Sequence, residues 1–320
     1  MLAILAPGQG SQKPGFLTPW IEDPAAAARL REWSDLIGLD LVRLGTEAGQ
    51  DEITDTANTQ PLLVAAGLLA AERLLTEGSA LAAADLVVAG HSVGELTALA
   101  IAGVLSPEAA VRLAAVRGRE MAAACDIEPT TMAAVLGGVE EEVLAAIEAA
   151  GAWPANRNGA GQIVAAGPVA AIEKLTGDAP ARARIIPLKV AGAFHTPHMA
   201  PAQEALEAVA ADIAVADPTR ILLSNRDGRP VPSGKAALRQ LVAQVTSPVR
   251  WDACMSTLGD LGVTAVVELP PAGTLTGLAK RALKGVERVN VNTPEDLAAA
   301  ADPVLNDSAA DGGAANEGVE

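Results

Sequence analysis

The chain has 320 residues, half of them hydrophobic, and a formal net charge of −16. That length supports a sizeable core in one or two domains, and the acidic balance argues against nucleic acid as a partner. The two cysteines, Cys125 and Cys254, stand far apart with no disulfide framework around them, which fits a reducing, cytoplasmic setting.

The first residues, Met1-Leu2-Ala3-Ile4-Leu5, are apolar but lack a basic flank and a cleavage site, and they run straight into Pro7-Gly8. They read as a first buried strand and not as a signal peptide. No apolar run approaches the length of a membrane span. The glycine run Pro7-Gly8-Gln9-Gly10 lacks the Gly-Lys-Ser/Thr ending of a phosphate loop.

The next apolar run, Asp85-Leu86-Val87-Val88-Ala89, leads into Gly90-His91-Ser92-Val93-Gly94-Glu95. A strand that ends in G-x-S-x-G and turns into a helix holds its serine on a sharp, exposed elbow. The amide after the serine, that of Val93, then points where an oxyanion would form. Ser92 is therefore the candidate nucleophile, and it needs a base.

Downstream, Ser106-Pro107-Glu108 opens a helix, with serine as cap and proline at the first position. This helix carries Arg112, Arg117 and Arg119. A buried arginine beside a nucleophile would be a two-pronged receptor for a substrate carboxylate. By spacing alone, all three read better as a solvated helix face.

Residues 131–190 then read as strand (132–136), helix (140–150), strand (153–156), strand (162–165), helix (169–175) and strand (184–190), punctuated by glycine-rich turns. This β-α-β-β-α-β order predicts a ferredoxin-like unit inserted into a larger α/β body. The predicted boundaries are 1–128 and 191–292 for the large subdomain and 129–190 for the small one, with the active site in the cleft between them.

Three histidines are available as base. His91 adjoins the serine and reads as a supporting residue. His195 lies in Gly192-Ala193-Phe194-His195-Thr196-Pro197-His198, with Thr196 as expected N-cap of a helix whose positive end would keep the imidazole neutral. His198 falls in the first turn and reads as structural or solvated. No third ligand cluster accompanies the histidine pair, so no metal site is expected. Between Ser92 and His195 the only aspartates are Asp126 and Asp178, neither placed to orient the imidazole. A dyad oriented by a carbonyl fits better than a triad.

These segments occur in a known order. Ala6-Pro7-Gly8-Gln9-Gly10-Ser11-Gln12, Thr59-Gln60-Pro61-Leu62-Leu63, the elbow, Arg117-Gly118-Arg119 and Gly192-Ala193-Phe194-His195 resemble malonyl-CoA:acyl carrier protein transacylases. So do Leu223-Ser224-Asn225, Ser247-Pro248-Val249-Arg250-Trp251 and the stretch from Leu275 to Arg281. The resemblance covers about residues 2 to 290 and looks most like the stand-alone enzyme of dissociated fatty acid synthesis in high-GC bacteria.

The resemblance implies an α/β-hydrolase-like fold, Ser92 as nucleophile and His195 as base. It further implies Arg117 as the clamp for the malonyl carboxylate, the amides of Gln9 and Val93 as oxyanion donors, a main-chain carbonyl at Gln244 orienting the histidine, and His91 touching substrate. Phe194 before the histidine resembles the malonyl-selecting pattern, in which a ring crowds the extra methyl of methylmalonyl groups; such a difference is worth about 1–3 kcal/mol.

The implied substrates are malonyl-CoA and acyl carrier protein, whose phosphopantetheine carries the thiol, with no further cofactor and a monomeric enzyme. One departure from the family is Leu269-Pro270-Pro271-Ala272-Gly273, where a Gly-Pro-Gly turn is common. Other readings are a serine thioesterase or hydrolase, a non-catalytic carrier-binding module and a polyketide-pathway acyltransferase acting in trans.

The last 28 residues, 293–320, carry seven acidic side chains and no lysine or arginine, and few large apolar groups. They read as a disordered acidic tail. Candidate basic patches for an acidic carrier are Lys174, Arg182, Arg184 and Lys189, and separately Lys280, Arg281 and Lys284; each charge reads equally well as merely solvated.

Overall fold

A computed structural model describes residues 1–76, 79–83 and 85–300. Its strands, in chain order, are β1 (Leu2–Ala6), β2 (Leu86–Gly90), β3 (Thr130–Gly137), β4 (Trp153–Gly159), β5 (Gln162–Pro168), β6 (Ala183–Pro187), β7 (Ile221–Leu222), β8 (Val249–Arg250), β9 (Ala265–Glu268) and β10 (Glu287–Asn290).

Five of these strands form a parallel sheet in the order β10-β9-β1-β2-β7. Every residue of β1 and β2 is buried, as expected where helices cover both faces of a parallel sheet. Successive side chains point to opposite faces. Leu2, Ile4, Leu86 and Val88 thus join one hydrophobic core, while Ala3, Leu5, Val87 and Ala89 join the core on the other side. The helices Thr56–Leu74 and Pro107–Cys125 pack against each other within the first core. Gly118 permits that approach, since a Cβ there would lie 2.7 Å from the Thr56 carbonyl oxygen.

The inserted unit has the expected order of elements. β3, β4, β5 and β6 pair antiparallel as β6-β3-β5-β4, with the helices Glu140–Ala150 and Val169–Gly177 over a separate core of Val135, Val143, Ile147 and Ile172. The strands run longer than the sequence indicated at β4 and β5, and β6 ends at Pro187 instead of Val190.

The last four strands, β7 to β10, were not foreseen. β8 lies far along the chain in the Ser247–Trp251 segment, yet it pairs parallel to β4 and extends the small sheet. Nothing local in a two-residue strand announces its partner.

The expected tail also needs correction. Residues 293–300 are folded onto the body: Asp296 accepts from the amides of Asn292 and Thr293 in a capping box, and Ala300 is fully buried. The rest of the predicted tail, 301–320, lies outside the described residues.

Candidate active site

Ser92 follows β2 and precedes the helix Gly94–Ile101, and its φ of 55° is left-handed. A non-glycine residue there stores strain, and the surroundings must enforce it. Two glycines make the turn feasible. A Cβ on Gly90 would fall 2.1 Å from the Gly94 backbone, and one on Gly94 would fall 2.2 Å from the Ala6 carbonyl oxygen. The elbow is then pinned by Asn225. Its Oδ1 accepts from the Ser92 amide at 2.8 Å, and its Nδ2 donates to the Gly90 carbonyl at 2.7 Å. Val93 is the N-cap of the following helix, so its amide is one of the terminal donors that lack an intrahelical carbonyl.

The Ser92 hydroxyl lies 2.8 Å from His195 Nε2. The other ring nitrogen, Nδ1, donates to the main-chain carbonyl of Gln244 at 2.8 Å. A carbonyl only accepts, so the proton sits on Nδ1 and Nε2 is free to take the serine proton. His195 is buried and also left-handed, with φ 60°. Burial, with the nearby Arg117 cation adding to it, pushes its pKa down to about 3.

That cause differs from the one expected, a helix N-terminus. Thr196 does occupy an N-cap position, but its hydroxyl turns back to the Ala193 carbonyl at 2.6 Å. Only a three-residue 3₁₀ turn, Pro197–Met199, follows before the helix Ala200–Ala210.

Arg117 is 1% exposed, while Arg112 and Arg119 are exposed. The reading of all three as one solvated face is thus corrected for Arg117. Its position falls in the stripe Ala110, Val111, Ala114, Gly118 and Met121 that this helix buries, at the i, i+3, i+4 spacing of a core face. A cation in that stripe was the available signal. Nη1 donates to Gln60 Oε1 at 2.6 Å, and Nη2 donates to Gln244 Oε1 at 2.9 Å and to Ser92 Oγ at 3.3 Å. Its Nε has no hydrogen-bond partner among the described residues. Burial lowers its pKa to about 10, which leaves it cationic at neutral pH.

A nucleophile, a base and a buried guanidinium within reach of the same hydroxyl suit acyl transfer to and from a carboxylate-bearing substrate. The comparisons with known proteins agree. Residues 5–296 match the model of the acyl transferase domain family. The chain belongs to that family. It is 59% identical over 297 residues to the malonyl CoA-acyl carrier protein transacylase of Mycobacterium bovis, covering 93% of this chain and 98% of that one. The transacylase of that name from Escherichia coli is 33% identical over 93% of this chain and 98% of its own length. Among solved structures, MCAT from Mycobacterium tuberculosis superposes with a TM-score of 0.92 at 58% identity, covering 94% of this chain and 99% of that one. A malonyl-transacylase solved in complex with its type II PKS acyl-carrier protein superposes at 0.86 and 31% identity, over 94% and 99%.

In this acyl transferase three more of the predicted residues meet at one cavity of about 240 Å³. Gln9, His91 and Phe194 line it together with Ser92, Arg117 and His195. Val93 is buried next to the serine, at the N-cap of the following helix. His91 turns toward the small sheet, with Nε2 3.0 Å from Asn158 Oδ1 and its ring edge-on to Trp251. β3, β4 and β5 supply Met132, Ala134, Asn156, Asn158 and Val164 as the opposite wall. The cleft expected between the two units is therefore where these groups meet.

Sequence reasoning missed Gln60 as an Arg117 partner, Asn225 as the elbow's pin and Glu95 behind it. Glu95 had a signal. It is the lone acid in Gly94-Glu95-Leu96-Thr97-Ala98-Leu99, all buried, where a charged group needs partners.

Proposed function

We propose that this chain transfers the malonyl group from malonyl-CoA to the phosphopantetheine thiol of acyl carrier protein through a malonyl-serine intermediate. The observation that carries the reading is Arg117, buried and within 3.3 Å of the Ser92 hydroxyl that His195 also contacts. The names of the relatives point the same way.

His195 takes the Ser92 proton as the hydroxyl attacks the thioester carbonyl. The amides of Gln9 and Val93 hold the oxyanion, and one such donor is worth about 3–4 kcal/mol in the transition state. The thioester C–S bond breaks, coenzyme A leaves with a proton from His195, and the ester remains on Ser92. The carrier thiol then attacks, with His195 again as base, and the serine recovers its proton. Gln244 orients His195 through its main-chain carbonyl, which takes the place of a triad acid. Arg117 holds the malonyl carboxylate, so an acetyl group would leave the guanidinium without that partner. Phe194 crowds the α-carbon against an added methyl, and His91 borders the acyl site.

Residues 1–128 and 191–300 supply the catalytic subdomain, and 129–190, with β8 added to its sheet, the small one. The chemistry needs no cofactor beyond the coenzyme A of the substrate. No described helix is long and apolar enough to cross a membrane; the setting is cytoplasmic, the enzyme a monomer, and the pathway fatty acid synthesis. Lys280, Arg281 and Lys284 are exposed, as are Lys174, Arg182, Arg184 and Lys189, and these offer cations to an acidic carrier.

Intact-protein mass spectrometry tests the reading. After mixing with malonyl-CoA, a malonyl adduct on the Ser92 peptide should appear, then pass to added holo carrier of either the fatty acid or the polyketide type. Free malonate without carrier product would favour a hydrolase, and absence of any adduct would overturn the assignment of Ser92.

A further inference from the structure

Behind the reacting groups lies a second layer of polar side chains that the mechanism above does not use. Glu95 is 2% exposed. Its Oε1 accepts from the main-chain amide of Asn225 at 2.5 Å, and its Oε2 accepts from Gln244 Nε2 at 2.5 Å. Gln244 Nε2 also donates to the Ser92 carbonyl at 3.1 Å and to Asn225 Oδ1 at 3.2 Å. On its other side, Gln244 Oε1 accepts from Arg117 Nη2.

The orientation of the Gln244 amide is forced at both ends. The Ser92 carbonyl can only accept and the guanidinium can only donate. Glu95 is suited to keep it so, because a carboxylate accepts at both oxygens. A glutamine at 95 has one acceptor and one donor. If its carbonyl serves Asn225, its NH₂ meets the Gln244 NH₂. Turning Gln244 over relieves that clash and sends an NH₂ toward Arg117 instead.

We propose that Glu95 is a positioning residue: through the Gln244 side chain it holds the Arg117 guanidinium in the pose that receives a substrate carboxylate, and so sets selectivity for carboxylate-bearing acyl groups. This rests on the reading of Arg117 as the carboxylate receptor. Burial pushes the Glu95 carboxyl up to about 7, against the pull of the Asn225 amide, the Arg117 charge and the Gln244 amide; the two amides hold its two oxygens.

The test is single-turnover acylation of Ser92 by malonyl-CoA and by acetyl-CoA, followed by intact mass, in wild type, Glu95→Gln, Gln244→Met, the double variant and Arg117→Ala. Gln244→Met keeps the main-chain carbonyl that holds His195. Glu95→Gln should lower the malonyl-to-acetyl ratio of rate constants by about tenfold or more, the scale of coupling between groups in one network. Gln244→Met should lower it comparably, and Glu95→Gln should cost nothing further in that background. A general loosening of the elbow would slow both substrates alike and leave the ratio unchanged, which would overturn the proposal.

Arg117→Ala separates the two layers. If it leaves the ratio at the wild-type value, the carboxylate reading itself fails. If it collapses the ratio while Glu95→Gln does not, only the relay fails. Should Glu95→Gln not fold by circular dichroism, an unchanged ratio in Gln244→Met overturns the proposal on its own.

Discussion

The two sheets face one cleft but give it different kinds of atoms. The parallel sheet and its helices bring Ser92, Arg117, Gln244 and Glu95, bonded to one another. The antiparallel sheet brings a wall of Met132, Ala134 and Val164 and two amides, Asn156 and Asn158. Groups that exchange protons must keep their separations to a fraction of an ångström, and a single packed unit does this better than two units facing each other. A wall needs only shape. The chemistry should therefore be sensitive to changes on the large unit and tolerant of changes on the small one.

The largest expected effect sharpens that contrast. Ser92→Ala should abolish the malonyl adduct and cut transfer by at least about 10⁴-fold, since it removes the covalent step. Arg117→Ala should follow, costing roughly 10²- to 10³-fold in acylation by malonyl-CoA and little with acetyl-CoA, the scale of losing one partner of a buried charge pair.

Stability divides the same way. Gly94→Ala places a Cβ 2.2 Å from a carbonyl oxygen and should cost about 3 kcal/mol in urea unfolding. Gly151→Ala, at the end of a small-unit helix with φ 83° and open space around it, should cost about 1 kcal/mol from backbone strain alone. Equal losses would break the comparison.

Acid should act through His195. Its folded pKa lies near 3 and its unfolded value near 6.5, so below pH 6.5 the unfolded chain binds a proton that the folded one does not. Stability is then lost on acidification, at up to about 1.4 kcal/mol per pH unit. Glu95, raised from 4.5 to about 7, takes up its proton first in the folded state and opposes this between those values. Buried His91, also held below its usual value, adds a loss of the same sign, so the net loss should be clearest below about pH 4.5. With three histidines in the chain, ring resonances can be followed one by one, and a His195 midpoint near 6.5 would contradict its burial.

The smallest effect belongs to the wall. Asn158→Ala removes the His91 contact across the cleft, about 1 kcal/mol for one hydrogen bond, and should slow transfer about fivefold.

Much of this was legible in the sequence because it is local. Strand-length apolar runs give β1 and β2, G-x-S-x-G gives the elbow, and alternating strand and helix patterns give the inserted unit. The missing aspartate already pointed to a carbonyl behind His195. Other features were not local. β8 pairs across more than ninety residues of chain with β4. Arg117 reads as a surface cation until the helix Thr56–Leu74 covers it. Residues 293–300 look solvated until Asp296 caps its own turn.

By itself, then, the sequence determined the first two strands, the order of elements in the inserted unit and the elbow at Ser92, because those depend on neighbours a few residues away. It also placed His195 on a loop ahead of a helix, whereas the left-handed backbone there came from the structure. Only the tertiary structure decided which charges are buried and which amide faces which carboxylate. Burial and hydrogen-bond partnership arise from segments distant in the chain, and at Glu95 and Gln244 that partnership fixes which way each polar atom faces.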